Sequence, residues 1–277
     1  RFIKYYSSIG VSLLRKRNPF FLNLIIKYFL IVCCCFGTIQ LFAQNSQLRS
    51  YTIADGLPQS QVYDIVQDDM GYLWLGTQGG GLANFDGEIF EVWNEGDGLL
   101  SNYIDALYTV NDSLFIGTKK GLSIKVKNNF VNLEAPQILQ FFPVDGQLYL
   151  ATKNGLYTYS KNKLISKVNF NSEIDNSEIN SVFFDGNYYW LATNKALWKL
   201  KELGDNTTEI IKVEKNNFKS VIAHNNHIIA ATFDDGVFII DKATTDNRFL
   251  MPEPSRINSM SIQNEDELWI TTDNEGV

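Results

Sequence analysis

Three groups of residues have types and spacing that could do chemistry. Gly79, Gly80 and Gly81 follow an apolar run, "LWLGT" at 73–77, and a glycine loop after a strand can offer backbone N–H groups to an anion. Asp68-Asp69 and Glu265-Asp266-Glu267 are carboxylate clusters, which act as acid and base when two of them face one cleft at a fixed separation. His224 and His227 flank Asn225-Asn226, and histidine ligates metals and moves protons near neutral pH. Each group meets an obstacle. An anion loop needs a following helix whose first amides face the ligand; here "LANFDGEIFEVW" follows, which reads as strand, and no Gly-Lys-Ser/Thr ending is present. The carboxylates lie in or beside turns, where solvated Asp and Glu are ordinary. The histidines have no acidic or cysteine ligand close in sequence. No Ser-His-Asp arrangement and no Gly-x-Ser-x-Gly elbow occurs. The expectation is a segment with no catalytic residue, metal or cofactor.

The elements that carry these residues recur. "LWLGTQGGGL" (73–82) returns as "LFIGTKKGL" (114–122), "LYLATKNGL" (148–156), "YWLATNKAL" (189–197), "IIAATFDDGV" (228–237) and "LWITTDNEGV" (268–277). The shared threonines, Thr77, Thr118, Thr152, Thr193, Thr232 and Thr272, are spaced by 41, 34, 41, 39 and 40 residues. Fourteen or fifteen residues before each threonine stands an apolar residue, Val62, Ile104, Ile138, Ile179, Phe218 or Ile257, that opens a short alternating run. Turns rich in Asp, Asn and Gly separate the two runs, a hairpin signature. A third run follows the last glycine of the motif, and a fourth closes the unit. Four short strands per ~40 residues make one propeller blade. The predicted fold is an all-β propeller with about six blades represented, the last one truncated. Helical arrays are excluded because 45–277 lacks helix-length 3.6-residue periodicity. A second repeat, "DGLPQSQV" (55–62) and "DGLLSNYI" (97–104), makes the stretch before Asp55 equivalent to the end of a fourth strand without its own blade. The protein is expected to continue beyond Val277.

Within the motif, Gly76, Gly117, Ala151, Ala192, Ala231 and Thr271 are small and share one face with Trp74, Phe115, Tyr149, Trp190 and Trp269. That face is expected to pack between blades, with the aromatic residues as core and the motif as the inner strand of its blade. Gly81, Gly121, Gly155, Gly236 and Gly276 are expected in hairpin turns that favour positive φ.

Charge divides the chain. Six of the 24 basic residues lie in 1–44 with no Asp or Glu. The rest carries 18 basic against 31 acidic residues, a net of −13, which repels phosphate backbones and excludes a nucleic-acid partner. Arg15-Lys16-Arg17 precede the apolar run "YFLIVCCCFGTIQLFA" at 28–43, the plan of a helical secretion signal with cleavage after Ala43. A retained anchor is the alternative, although the run is short of the ~20 residues that span a bilayer. Cys33, Cys34 and Cys35 all lie in this run, so an exported body would have no disulfide and no cysteine metal site. The predicted organisation is a basic region plus secretion signal at 1–44 and a propeller at 45–277, incomplete at its C-terminus.

On these residues the sequence resembles the two-component regulator propeller repeat: Leu-Trp-Ile-Gly-Thr, a short polar turn, Gly-Leu and an aromatic strand, seen here in full at 73–85 with "GLPQSQV" upstream and "FDG" downstream. The resemblance runs over about 50–277. It implies a periplasmic sensor region of a hybrid histidine kinase or related regulator, tethered to the inner membrane in the full-length protein. Further blades and downstream signalling domains then follow, and the ligand derives from polysaccharide. A secreted polysaccharide lyase or glycosidase and a passive protein scaffold are the alternatives. A glycan ligand and a second copy of the chain are the remaining partners considered.

The candidate contact residues are those of the turn that varies between copies: Gln78, Lys119, Lys120, Lys153, Asn154, Asn194, Lys195, Asp234, Asp235, Asp273 and Asn274. Variation on a constant frame is where a ligand surface can be built. Lys119, Lys120, Lys153 and Lys195 would form a basic arc that meets an anionic or polyhydroxylated ligand.

Overall fold

The computed structural model describes residues 49–277 apart from 128, 145, 168–173, 175, 204–206, 252–256, 265–266 and 273–277. The proposed signal and its cleavage position, together with Asp273, Asn274 and Gly276, lie outside the described residues. Contacts divide the chain into two compact units, Arg1–Ser50 and Tyr51–Val277. Among the described residues no helix is long and apolar enough to cross a membrane.

The second unit is a β-propeller. Five four-stranded antiparallel sheets, at 62–93, 104–134, 138–167, 179–214 and 218–251, are followed by a two-stranded sheet at 257–272. Within each sheet the strands pair in chain order. The first strands of successive blades adjoin one another, so they line the axis. The motif strand is therefore not the inner strand that the repeat pattern suggested but the second of four. The physical reason is visible in its composition. A strand hydrogen-bonded on both edges and covered on both faces reads as continuously apolar or small, and Leu75, Gly76 and Thr77 are all buried. The first strand instead presents one edge to the axis and alternates between half-buried and exposed in blade 1.

Hairpin chemistry fixes the register. Asp68 ends the first strand of blade 1, and its Oδ1 accepts the N–H groups of Met70 and Tyr72, each at 3.0 Å. Its Oδ2 accepts the Trp74 indole N–H at 2.9 Å. Blade 4 repeats the device: Asp185 accepts from Asn187, Tyr188 and the Trp190 indole at 2.8–2.9 Å. Burial raises the proton affinity of Asp185, but the Trp190 indole, the two backbone donors and Lys242 outweigh it, and its pKa is lowered. These turn aspartates clamp an indole and close a turn.

Blades join through a small-to-large fit. A Cβ added to Gly76 would lie 2.6 Å from Cγ2 of Ile104, the residue that opens the next blade. Gly117 stands in the same relation to Ile138, at 2.8 Å. Ala151 shares a core with Ile179, Ala192 with Phe218 and Ala231 with Ile257. Phe115, Tyr149 and Trp190 are buried in the same cores. Trp269, on the two-stranded sheet, is 48% exposed.

The recurring "DGL" segments are 3-10 turns. Thr52 and Asp55 form a capping box over Ile53–Asp55, and Asn94 and Asp97 do so over Glu95–Asp97. Leu57 and Leu99 then plug the adjoining cores. Residues 49–52 carry no strand pairing. Tyr51 instead packs its ring edge-on against Phe85, with centroids 4.8 Å apart.

Candidate ligand-binding site

In the first five copies the repeated threonine builds the turn that follows it. Thr77, Thr118, Thr152, Thr193 and Thr232 are all fully buried. Each hydroxyl donates to the carbonyl of Gly81, Gly121, Gly155, Ala196 or Gly236 at 2.7–3.0 Å. In the second to fifth copies it also accepts an N–H from within the turn. Buried hydroxyls with both roles filled hold a turn and have nothing left for a ligand.

The glycine triplet is similarly engaged. Gly79 and Gly81 both donate their N–H groups to the Asn102 carbonyl, at 3.0 and 3.1 Å. Gly81 has φ +88°, and an added Cβ would run into the Trp93 carbonyl. The loop binds the next blade's entry segment, so these amides do not cradle an anion.

The variable turn residues separate into two classes. The residue directly after each threonine donates its N–H to the carbonyl just before its own blade's first strand. Gln78 donates to Gln61, Lys119 to Tyr103, Lys153 to Gln137, Asn194 to Glu178 and Phe233 to Asn217, at 3.0–3.1 Å. These residues are pulled toward the axis. The fifth copy places Phe233 there, one residue before Asp234 and Asp235. Later turn residues reach back to entry loops instead. Lys120 pairs with Glu95 at 3.2 Å, Lys195 donates to the Asn176 carbonyl at 3.1 Å, and Asp235 accepts from Asn216 at 3.0 Å. Asn154 and Asp234 are exposed, and the Asn154 N–H caps Thr152.

The four lysines are thus dispersed. Lys119 lies over the Tyr103 ring, 4.0 Å from its centroid, and Gln78 bridges to Tyr103. Lys153 pairs with Glu178 at 3.6 Å, while Asn194 holds Glu178 by accepting its N–H at 3.3 Å. Of the turn residues expected at the site, Lys153 lines the axial cavity described next.

That cavity, about 950 Å³, opens where the first strands begin. Each first strand has a register break one residue after its opening apolar residue, between Val62/Asp64, Ile104/Ala106, Ile179/Ser181, Phe218/Ser220 and Ile257/Ser259. In blade 3 the corresponding jump in pairing passes from Gln140 to Ile138. A bulge leaves one residue without a cross-strand partner and re-aims it. The residues so freed are Tyr63, Asp105, Leu139, Asn180, Lys219 and Asn258, and the first five line the cavity. Asp105 accepts from Gln137 Nε2 at 2.8 Å, and Asn180 donates to the Phe218 carbonyl at 2.8 Å. Lys219 lies over the Phe233 ring, 5.3 Å from its centroid. Burial pushes the Asp105 carboxyl above its ordinary value; Gln137, Lys119 and Lys153 act against this, and Glu178 adds to it. Burial, and then the Asp105 charge, raise the Tyr63 phenol.

Sequence reasoning passed over these bulge residues although their markers were on view. The six opening apolar residues are a clear series, and in the first five blades the residue after each differs in chemistry. Only the bulge turns that position toward the axis. The described residues contain no cluster of His, Cys, Asp and Glu able to hold a metal.

Comparison with known proteins places this frame. Residues 56–79, within the first of the copies read from the sequence, match the profile described as "Two component regulator propeller". A 67-residue stretch, 24% of the chain, is 46% identical to histidine kinase P4 of Formosa agariphila and covers 5% of that protein. The fold is shared with the extracellular domain of BT3049 from B. thetaiotaomicron, assigned to a hybrid two-component system. The TM-score is 0.63 at 17% identity, over 83% of this chain and 34% of that one. Streptogramin B lyase also shares it, with a TM-score of 0.60 at 13% identity over 78% of each chain. The chain spans about one third of the sensor domain and a small fraction of the kinase.

Proposed function

We propose that this two-component regulator propeller is the exported, ligand-sensing part of a two-component signalling protein. On this reading it has no enzymatic activity of its own and responds to a polysaccharide-derived ligand. The observation that carries the reading is the axial cavity, where a constant frame presents a different side chain from each of the first five blades. The match to a histidine kinase supports the signalling context. Residues 1–44 would deliver the chain to the periplasm and 45–277 would form the propeller, tethered to the inner membrane in the full-length protein. Further blades, output domains and a second copy are the partners this reading implies. A ligand that touches the first strands of several blades stabilises one relative arrangement of those blades. That differential affinity is what shifts a conformational equilibrium.

The enzyme alternative draws on Asp105, whose proton affinity is raised inside the cavity. Its obstacle is the second carboxylate, because Glu178 is already paired with Lys153.

Thermal unfolding of the full chain with polysaccharide digests separates the two. A ligand at a hundredfold excess over its Kd adds about 2.7 kcal/mol. For a domain of this size that is a rise in Tm of roughly 5–10 °C. The expected result is such a rise with one digest and no new product by chromatography. No rise with any digest, or cleavage of a digest, overturns the proposal.

A further inference from the structure

The geometry points to a neutral oligosaccharide, not a uronate or sulfated one, as the ligand of the axial cavity, contacted by the bulge residues and not by the turn lysines. This rests on the sensing proposal above and narrows it. Three observations lead to it.

First, among the described residues the charges that face the cavity cancel. Asp105 and Glu178 oppose Lys153 and Lys219. Lys153 is held by Glu178 and Lys219 sits on Phe233. An anionic ligand that draws Lys153 away from Glu178 leaves that carboxylate and Asp105 both facing the incoming charge. The other lysines of the variable turns, Lys119, Lys120 and Lys195, do not line the cavity, and their ammonium groups are engaged by Tyr103, Glu95 and Asn176.

Second, the lining mixes hydrogen-bond donors and acceptors without a dominant sign. Gln61, Gln137 and Asn180 bring amides, Ser60 and Ser220 bring hydroxyls, and Asp105 brings acceptors. Sugar hydroxyls donate and accept, so they satisfy such a wall in either sense. The aromatic ring of Tyr63 at the same cavity offers apolar surface to the C–H faces of a sugar. Tyr63 is 51% exposed, so its ring is open to contact.

Third, the volume of about 950 Å³ lies near the upper end of the ~300–1,000 Å³ typical of small-molecule sites. It suits several sugar rings better than one.

Calorimetric titration of the full chain with two named sets of probes tests this. The neutral set is xylotetraose, mannotetraose and laminaritetraose. The anionic set is tetragalacturonate and a chondroitin sulfate tetrasaccharide. The expected result is binding of at least one neutral probe tenfold or more tighter than any anionic one. Tyr63→Ala should weaken it at least fivefold, and Lys120→Ala should leave it unchanged. Glu178→Gln, which releases Lys153, should improve anionic binding relative to neutral. If Tyr63→Ala does not fold, the Glu178→Gln shift alone decides. Preference of the native chain for an anionic probe overturns the inference and leaves the sensing proposal standing. So does neutral binding that Lys120→Ala abolishes and Tyr63→Ala does not. Failure of a folded chain to bind either set, while a digest still raises its Tm, overturns the neutral class alone. Failure in both assays overturns both proposals.

Discussion

The second strands and the starts of the first strands are neighbours in every blade, yet they vary in opposite ways. Along the second strand each position has one kind of residue: a large aromatic or aliphatic one, a small one, then threonine. One residue past the opening of the first strand, Tyr63, Asp105, Leu139, Asn180 and Lys219 have no chemistry in common, and only the sixth, Asn258, repeats a residue type. The difference follows from what each position touches. Gly76 faces Ile104 with no room for a Cβ, and Thr152 fills its turn with both of its hydrogen-bonding roles. In the first five blades the bulge residue has no cross-strand partner and lines a cavity, so packing places little demand on it. Constancy inside this chain marks the frame, and variation marks the place where a ligand can be read.

Substitutions can break that division, beginning with the frame. Trp190→Ala removes a fully buried indole that also donates to Asp185 at 2.8 Å. It should cost about 3–5 kcal/mol in urea denaturation; a loss under 1 kcal/mol would show that the second-strand aromatics are not core. Thr152→Val keeps the shape but removes a hydroxyl that donates to Gly155 and accepts from Asn154. A loss of about 1–3 kcal/mol is expected from the unpaired backbone groups, and an unchanged midpoint would deny the threonine its turn-holding role.

The smallest effect tests the seam between blades 1 and 2. Asp64 Oδ2 accepts the Leu107 N–H at 2.7 Å. Burial raises its pKa above the ordinary 3.8, partly offset by the Leu107 and Ile65 N–H groups. A carboxyl raised in the folded state contributes stability at low pH that is lost as pH rises through the raised value. The native chain should therefore lose stability relative to Asp64→Asn as pH climbs from 3.8, with a constant difference once Asp64 is ionised in both states. Parallel urea curves for the two proteins at every pH would remove Asp64 as a titrating group of that seam.

Much of this was legible in the residues. The ~40-residue period, the hairpin turns and the two-face apolar pattern of "LWLGT" required four-stranded repeats, and the small residues at Gly76 and Gly117 announced a close approach. Less legible was the order of strands about the axis, because a strand covered on both faces looks equally apt for the innermost and the second place. The site was legible in part. Lys153 belongs to both the variable turn and the cavity. Phe233 directly follows Thr232, the place held by Gln78, Lys119, Lys153 and Asn194 in the other turns, but it is apolar, and the polar Asp234 and Asp235 that mark this turn lie one and two residues beyond the axial position.

The sequence by itself determined the repeat, the strand content, the turn chemistry and the acidity of the body, since each depends on neighbours within a few residues. Only the tertiary structure decided which variable positions meet. Lys119, Lys120, Lys153 and Lys195 share one kind of turn, but their ammonium groups end on an aromatic ring, a carboxylate of the entry loop, a cavity-facing glutamate and a backbone carbonyl. Where a long side chain goes depends on which charge or carbonyl the fold brings within reach. A one-residue bulge that turns Tyr63, Asp105 and Asn180 toward a common cavity is a feature of strand pairing, and pairing is settled only when the blades close on one another.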